Sequence, residues 1–120
     1  IALQLKDNIS VLHLSIHSFT PVLNLKVRQC DIGILYDSRL EQEKLYATKL
    51  KRNIIALNPD YRVRYNYPYL GKADGFTTAL RQQFKNNYIG IEVEINQSFA
   101  VDNKMPKKLK QVLKQAIINF

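Results

Sequence analysis

Two glutamates share one face of the most strand-like run in the sequence, YIGIEVEINQ at residues 88–97. Alternation along this run places apolar side chains on one side and Glu92, Glu94 and Asn96 on the other. On an edge strand with a solvent-exposed face, these carboxylates need no explanation. On an internal strand they require cations, a metal or hydrogen bonds, because an unpaired buried charge is very costly. Two carboxylates in one cleft raise the pKa of at least one of them, which suits a general base.

Two histidines lie four residues apart in the segment HLSIH, within a strand predicted at residues 10–17. His13 and His17 therefore share a face, but they stand about 13 Å apart at roughly 3.3 Å per residue. This distance is too great for both to bind one ion. His17 is the stronger candidate for a metal ligand because it falls at the carboxyl end of its strand, where open α/β sheets place their sites. A structural role is the alternative for each histidine.

Strands and helices alternate along the chain in a pattern typical of an α/β fold. Strands are predicted at residues 10–17, 31–37, 62–65 and 88–95, and helices at 40–57, at 76–84 and from Pro106 onward. We expect Asp37 to cap the first helix and Asp74 to cap the second. The pattern predicts one α/β domain over residues 1–120, with a mostly parallel, mixed sheet flanked by helices in three layers.

The chain carries 18 lysines and arginines against 10 acidic residues, a formal net charge of +8. Many of these cations lie on predicted amphipathic helices, where they form the solvated face. Nucleic acid is therefore not the expected partner. No apolar run approaches the roughly 18 residues of a membrane span, so no membrane contact is expected. The lone Cys30 forms no internal disulfide, which fits a reducing, cytoplasmic location.

Four segments follow one another between about residues 11 and 97: HLSIHSFTPVLN, VRQCDIGILYD, RVRYNYPYLGKADGFTTALR and YIGIEVEINQ. In this order they resemble the C-terminal half of the N-formylglutamate amidohydrolase (N-formylglutamate deformylase) family. That family is related to the zinc carboxypeptidases and to the aspartoacylase-type amidohydrolases. The resemblance implies a zinc-carboxypeptidase-like α/β fold with a mixed sheet and a single zinc ion.

The resemblance also implies roles for individual residues. The segment IHSF has the form of the carboxypeptidase segment that carries the third zinc ligand, which makes His17 the metal ligand. The segment GIEVE is similar to the aspartoacylase-type segment that carries the general base, which favours Glu94 over Glu92. A shift of one residue in this match leaves both glutamates facing the same cleft.

The chain departs from the family at the first two zinc ligands, a histidine and a glutamate three residues later. No His-x-x-Glu occurs in the sequence, so the chain cannot complete a zinc site with three protein ligands. The resemblance therefore implies that residues 1–120 are the C-terminal portion of a domain about twice as long. The missing N-terminal half is an expected partner, whether it belongs to the same protein or to another chain, and the isolated segment is expected to be inactive.

The substrate that the resemblance implies is an N-acyl amino acid such as N-formylglutamate, a small molecule with carboxylate groups. Arginine suits such a group because its guanidinium holds a carboxylate through two hydrogen bonds. Polar candidates for substrate binding are Arg28, Arg64, Asn66 and Lys72, each of which has a surface cation or turn residue as its plainer interpretation. We expect Asp31 to pair with Arg28. The loop NYPYLGKADG is either a lid or a structural turn packed by aromatic rings.

The resemblance therefore implies a zinc-dependent amidohydrolase that acts on an N-acyl amino acid, with an N-formyl amino acid as the expected substrate. A carboxypeptidase-type zinc peptidase is an alternative because the same metal chemistry supports it. A non-catalytic basic α/β binding module is an alternative of a different class.

Overall fold

A mixed four-stranded sheet lies at the centre of the molecule. The computed structural model describes residues 9–72 and 75–120. In chain order the strands are β1 (Val11–Phe19), β2 (Val22–Leu23), β3 (Lys26–Val27), β4 (Ile32–Leu35), β5 (Val63–Tyr65) and β6 (Tyr88–Asn96). The sheet has the order β1-β6-β4-β5, while β2 and β3 form a separate antiparallel hairpin.

The sheet contains both parallel and antiparallel junctions. β1 runs parallel to β6 and β4 runs parallel to β5, whereas β4 and β6 are antiparallel. The prediction of a mixed α/β sheet is confirmed. Because β6 lies between β1 and β4, it is an internal strand, and carboxylates on it need compensation by other groups.

The described helices are α1 (Glu41–Leu57), α2 (Phe76–Gln83) and α3 (Lys107–Ile118), and a 3-10 turn at Gln97–Phe99 follows β6. Their bounds lie within one residue of the predicted ones, except that α3 ends at Ile118, two residues before the predicted end, which is the usual agreement at helix ends. None of the helices in residues 9–72 and 75–120 is long and apolar enough to cross a membrane.

The two aspartates predicted as helix caps have different outcomes. α1 begins after Leu40 without a side-chain cap, so the prediction that Asp37 caps this helix is wrong. A turn closed by the Leu40 N–H on the Asp37 carbonyl separates the aspartate from the helix. Its carboxylate instead accepts hydrogen bonds from the backbone and guanidinium of Arg39, at 3.0 and 2.7 Å. Asp74 lies outside the described residues.

The apolar face of the sheet packs against α1 and α3. The core that they form contains Ile32, Ile34, Ala47, Leu50, Ile54, Ile91, Val93, Ile95, Leu109, Val112, Leu113 and Ala116. The spacing of the three α1 residues is the predicted apolar stripe of an amphipathic helix. Leu57, the last residue predicted for that stripe, is exposed at the end of α1.

α2 lies against the opposite face of the sheet. Its buried residues are Thr77 and Leu80, whereas Phe76 is exposed. The stripe predicted from Phe76, Leu80 and Phe84 is therefore wrong at the start of the helix. The reason is that Thr77 faces β6, where its hydroxyl lies 3.0 Å from the Glu92 carboxylate. Helices thus cover both faces of the sheet.

β1 is one of the two edge strands of the sheet. It pairs with β6 on one side, and within the described part of the chain no strand pairs with its other side. Ile16 on this strand is 53% exposed. It lines an apolar groove of about 540 Å³ together with residues of β6, α3 and the turn before α3, among them Ile95, Met105, Leu109, Leu113 and Ile117.

Candidate functional site

Glu94 lies in the interior of the sheet, with His17 of β1 and Gly33 of β4 as its strand neighbours. It is only 5% exposed. Its carboxylate oxygen Oε2 is buried and accepts no hydrogen bond from any residue that the structure describes. Because buried polar atoms are nearly always paired, this oxygen is a position for a proton or for a donor group of a ligand.

The surroundings of Glu94 favour its protonated form. Burial raises the pKa of Glu94 above the ordinary value of a glutamate, and the charge of Glu92 raises it further, while His17 and Arg28 oppose the rise. These interactions place all four groups in one electrostatic neighbourhood. A carboxylate with a raised pKa accepts protons more readily, which is the property required of a general base.

His17 lies near the carboxyl end of β1, beside Glu94, and its side chain is exposed. Its ring nitrogen Nε2 is 2.8 Å from the Ser15 hydroxyl. His13 has a different environment, because its Nδ1 is 2.8 Å from the Tyr88 hydroxyl and its ring meets the edge of Phe76. Of the two histidines, only His17 therefore stands beside the buried carboxylate.

The zinc ion implied by the resemblance needs at least three protein ligands. Among residues 9–72 and 75–120, no three His, Cys, Asp or Glu side chains converge where they could hold a metal. His17 offers one imidazole, with the Glu94 carboxylate as its neighbour on the next strand. The described residues therefore fit one position of a zinc site, and the other ligands would have to come from elsewhere.

Glu92 shares the polar face of β6 with Glu94 but differs from it in its contacts. Its Oε1 accepts a hydrogen bond of 3.0 Å from the Thr77 hydroxyl. It is half-buried, and its neighbour on β1 is Ser15. The two glutamates thus face one side of the sheet as predicted, one anchored to α2 and the other with a free buried oxygen.

Arg28 is a buried cation close to Glu94. Its guanidinium lies 5.8 Å from the ring centre of Phe19 and 5.1 Å from that of Tyr69. It donates hydrogen bonds to the Thr20 carbonyl and the Tyr69 hydroxyl, at 3.3 and 3.2 Å. In the described part of the chain no carboxylate forms an ion pair with it, so this buried charge has the character of an anion-binding group.

The predicted pair between Asp31 and Arg28 is wrong. Asp31 instead pairs with Arg62, whose guanidinium and backbone N–H reach the carboxylate at 2.9 and 2.7 Å. The reason is that Arg62 leads into β5, the neighbour of β4, so the start of one strand meets the start of the other. As a result, Asp31 does not form an ion pair with Arg28.

Arg64 stands on β5 opposite Gly33, which in turn pairs with Glu94. It therefore shares the polar face at a distance of two strand spacings, roughly 10 Å. Its guanidinium lies over the Tyr67 ring at 4.0 Å from the ring centre. The side chain is exposed, and it forms no ion pair with another residue of the described ranges, so it is a second cation available to an anion.

The loop after β5 is a turn fixed to the sheet. The Asn66 side-chain oxygen accepts hydrogen bonds from the backbone N–H groups of Tyr36 and Gly71, at 3.1 and 3.0 Å. The Tyr67 carbonyl lies directly over Gly33, where any side chain would clash. These contacts favour the structural turn over a mobile lid. They also use the Asn66 oxygen in the fold, while the predicted role of Asn66 in substrate binding stays a prediction.

Lys72 lines a cleft that includes neither His17 nor Glu94. This cleft, of about 380 Å³, is lined by other cations, including Arg39, Arg81 and Lys85, and by Tyr88 at the amino end of β6. The structure therefore does not bring Lys72 to the other predicted substrate-binding residues. The reason is that Gly71 packs against the backbone of Tyr36, at the end of β4 far from Gly33.

One buried ion pair was not predicted from the sequence. The Arg81 guanidinium contacts Glu43 at 2.7 and 2.9 Å, and both side chains are at least nine-tenths buried. Arg81 also donates to the carbonyls of Gly71 and Gly90, while Glu43 accepts from the N–H groups of Asp37 and Gly90. A signal was present, because Glu43 lies four residues before Ala47 on the apolar stripe of α1.

Comparisons with known proteins bear on the fold. No protein-family model matches the chain, and no curated protein matches it significantly. The crystal structure of gene product Atu2144 from Agrobacterium tumefaciens is similar, with a TM-score of 0.63 and 24% sequence identity. The similarity covers 98% of this chain and 46% of that chain, so this chain spans less than half the length of that structure. Similarity at this level shows a shared fold, and the function has to be argued from the site.

Proposed function

We propose that this chain is part of a zinc-dependent amidohydrolase that cleaves the amide bond of an N-acyl amino acid, with an N-formyl amino acid such as N-formylglutamate as the expected substrate. The observation that supports the proposal is the free, buried Oε2 of Glu94 beside the exposed His17. A general base needs an uncommitted acceptor atom, and a metal ligand at its side suits the activation of water.

In this proposal Glu94 accepts a proton from the attacking water and returns it to the leaving amine nitrogen. His17 contributes one of the ligands for zinc, and the remaining ligands come from an N-terminal half outside this chain or from another chain. When bound, zinc polarises the amide carbonyl and lowers the pKa of the water. The low exposure of Glu94 keeps its pKa raised before the proton transfer, so that the carboxylate is a strong acceptor.

Arg28 and Arg64 are the proposed partners of substrate carboxylates. Arg28 is buried near Glu94 and Arg64 is exposed two strands away, so the two cations differ in depth and position. A substrate with two carboxylates can contact both, and its amide then lies between them and Glu94. Asn66 and Lys72 are not included, because one is committed to the turn and the other faces a separate cleft.

The test uses the protein that carries this chain together with the proposed N-terminal half, loaded with zinc. Release of free amine is measured with N-formylglutamate, other N-acyl amino acids and short peptides. We expect hydrolysis of the N-acyl amino acids, loss of at least 10²-fold in kcat for Glu94→Gln, and loss of bound zinc for His17→Ala. Asp60→Asn, a change at an exposed residue, is the control.

Each of the other outcomes identifies an alternative. Preference for peptides supports the carboxypeptidase-type peptidase. A protein that binds no zinc and hydrolyses none of these substrates contradicts the proposal and favours the basic binding module. Binding of nucleic acid with a steep loss of affinity in salt would identify the partner of such a module. A cytoplasmic location stays a prediction that fractionation of cells can check.

A further inference from the structure

Thr77 is a buried residue with one specific polar contact. It is 1% exposed, and its hydroxyl donates a hydrogen bond of 3.0 Å to Glu92 Oε1. A hydrogen bond to a charged acceptor is stronger than one between neutral groups. Thr77 thus holds in place one of the two carboxylates on the polar face of β6.

The start of α2 surrounds the same carboxylate oxygen. A side-chain carbon added at Gly75 would lie 3.2 Å from Glu92 Oε1. The amino end of a helix carries a partial positive charge, which favours a carboxylate placed there. Three features therefore orient Glu92 toward α2. They are the Thr77 hydroxyl, the absence of a side chain at Gly75 and the partial positive charge at the amino end of the helix.

The position of Thr77 is itself well determined. Arg81, one helical turn further along α2, is bound to the buried Glu43 and to the carbonyls of Gly71 and Gly90. These contacts attach α2 to α1, to the loop after β5 and to β6. Thr77 therefore lies on an element that has little freedom to move relative to Glu92.

We propose that Thr77 is a positioning residue that keeps the Glu92 carboxylate turned toward α2 and away from the neighbouring Glu94, His17 and Arg28. This inference rests on the proposed function for its effect on catalysis. Glu94 and Glu92 stand two residues apart on one face, about 6.6 Å along the strand. Without the Thr77 hydroxyl, the Glu92 carboxylate can turn toward these side chains, where its charge repels an anionic substrate and competes with it for Arg28.

The inference predicts a specific pattern among variants of the zinc-loaded protein described above. Thr77→Val, which keeps the size and burial, raises KM for N-formylglutamate about tenfold, the equivalent of one charge-assisted hydrogen bond. Its kcat changes less than twofold. Thr77→Ser, which keeps the hydroxyl, retains the wild-type KM. The matched control is Thr48→Val, because the Thr48 hydroxyl donates to the Lys44 carbonyl within α1 itself.

Removing the charge of Glu92 distinguishes a positioning role of Thr77 from a general structural role of Thr77. In a Glu92→Gln background, Thr77→Val should change KM less than twofold, because residue 92 then carries no charge that could approach Glu94 and Arg28. A structural role predicts the same loss in both backgrounds and would overturn the inference. Thermal unfolding of every variant verifies that the compared proteins are folded.

Crystal structures keep the inference testable if the wild-type protein proves inactive. We expect the Glu92 side chain to leave the start of α2 in Thr77→Val and to stay there in Thr77→Ser. A Glu92 carboxylate that keeps its wild-type position in Thr77→Val contradicts the inference, whatever the activity. An inactive wild-type protein with a displaced Glu92 in Thr77→Val instead contradicts the proposed function alone.

Discussion

At the scale of single residues, the main finding is that two glutamates on one strand face have different surroundings. Glu92 is half-buried and anchored by Thr77, whereas Glu94 is buried with a free oxygen. An ionised carboxylate without hydrogen bonds destabilises the folded state because it loses its hydration. Glu94 Oε2 is a buried oxygen beside His17 that receives no hydrogen bond from the described residues, which is the kind of local cost that functional sites carry.

Replacing Glu94 by glutamine should make the metal-free chain more stable. The raised pKa of Glu94 means that its contribution to stability is present at low pH and is lost as the pH rises through the folded value. We therefore expect Glu94→Gln to unfold at a higher temperature than wild type at about pH 8. The corresponding gain in the free energy of unfolding is about 1–3 kcal/mol, and the difference should be smaller at about pH 4. Thermal denaturation in the presence of a chelator measures the difference between the two proteins at both pH values.

Glu92→Gln is the control for this measurement. Its carboxylate already accepts a hydrogen bond, so removal of the charge should give no comparable gain. Equal or lower stability of Glu94→Gln at about pH 8 would contradict the interpretation of Glu94 as an uncompensated buried charge.

The Asp37 carboxylate should make stability depend on pH in the opposite sense. Hydrogen bonds from Arg39 lower the pKa of Asp37 to about 2, below the value of about 3.9 for an unfolded chain. The contribution is present above about pH 4 and is lost as the pH falls toward about 2. We expect Asp37→Asn to unfold at a lower temperature than wild type at about pH 6, and the difference to shrink toward about pH 2.

The size of the Asp37 effect is limited by the exposure of its partner. Arg39 is 71% exposed, so water and salt screen the pair. Arg39→Gln should reproduce the effect of Asp37→Asn at about pH 6. A difference from wild type that stays constant across the acid range would show that the effect comes from the turn and not from the charge.

At the scale of elements, the buried pair of Glu43 and Arg81 joins α1, α2, β6 and the loop after β5. Each partner has several hydrogen bonds besides the ion pair, so the charges are well compensated. Loss of one partner leaves the other charge buried and alone, which costs far more than loss of an exposed pair. The pair thus controls where α2, and with it Thr77, meets the sheet.

Breaking this pair should therefore be among the most destabilising single changes in the chain. We expect Arg81→Met to lower the free energy of unfolding by about 3–5 kcal/mol. The double variant Glu43→Met with Arg81→Met should recover part of that loss, since no unpaired charge remains. Arg39→Met, at the exposed pair with Asp37, should cost about 1 kcal/mol or less. Chemical denaturation compares them, and equal effects of Arg81→Met and Arg39→Met would contradict the assignment.

The same elements show what the sequence can and cannot predict. Strand alternation and apolar periodicity predicted the helices and the main strands, because both depend on local spacing. They also predicted that Glu92 and Glu94 share a face. The partners of Asp31, Asn66 and Lys72 were not predictable, because these contacts depend on which strands and loops become neighbours. The strand order that makes β6 internal is likewise a property of the whole sheet.

At the scale of the whole molecule, the described part of the chain has an unpaired sheet edge along β1. Alternate residues of this nine-residue strand present their backbone groups on the side away from β6, and the exposed Ile16 lies on a groove of about 540 Å³. Unpaired strands of this length readily accept another strand. The similar crystal structure has more than half of its chain beyond the shared region.

The isolated chain should therefore self-associate through β1. We expect its apparent mass in sedimentation to rise with concentration, and Ile16→Lys to reduce that rise. Leu25→Lys is the matched control, because Leu25 is 99% exposed in the turn between β2 and β3 and lies away from the groove. A mass that is independent of concentration in the wild-type chain, or an equal effect of both lysine variants, would contradict this prediction.

The position of His17 on that same open strand has a thermodynamic consequence. Any segment that pairs with the outer edge of β1 brings its side chains next to the imidazole. A metal ion bound jointly by His17 and such a segment would favour the paired state by an amount that grows with the metal concentration relative to its dissociation constant. Metal affinity and strand pairing would then be linked quantities, so that measuring either one as a function of the other gives the same coupling free energy.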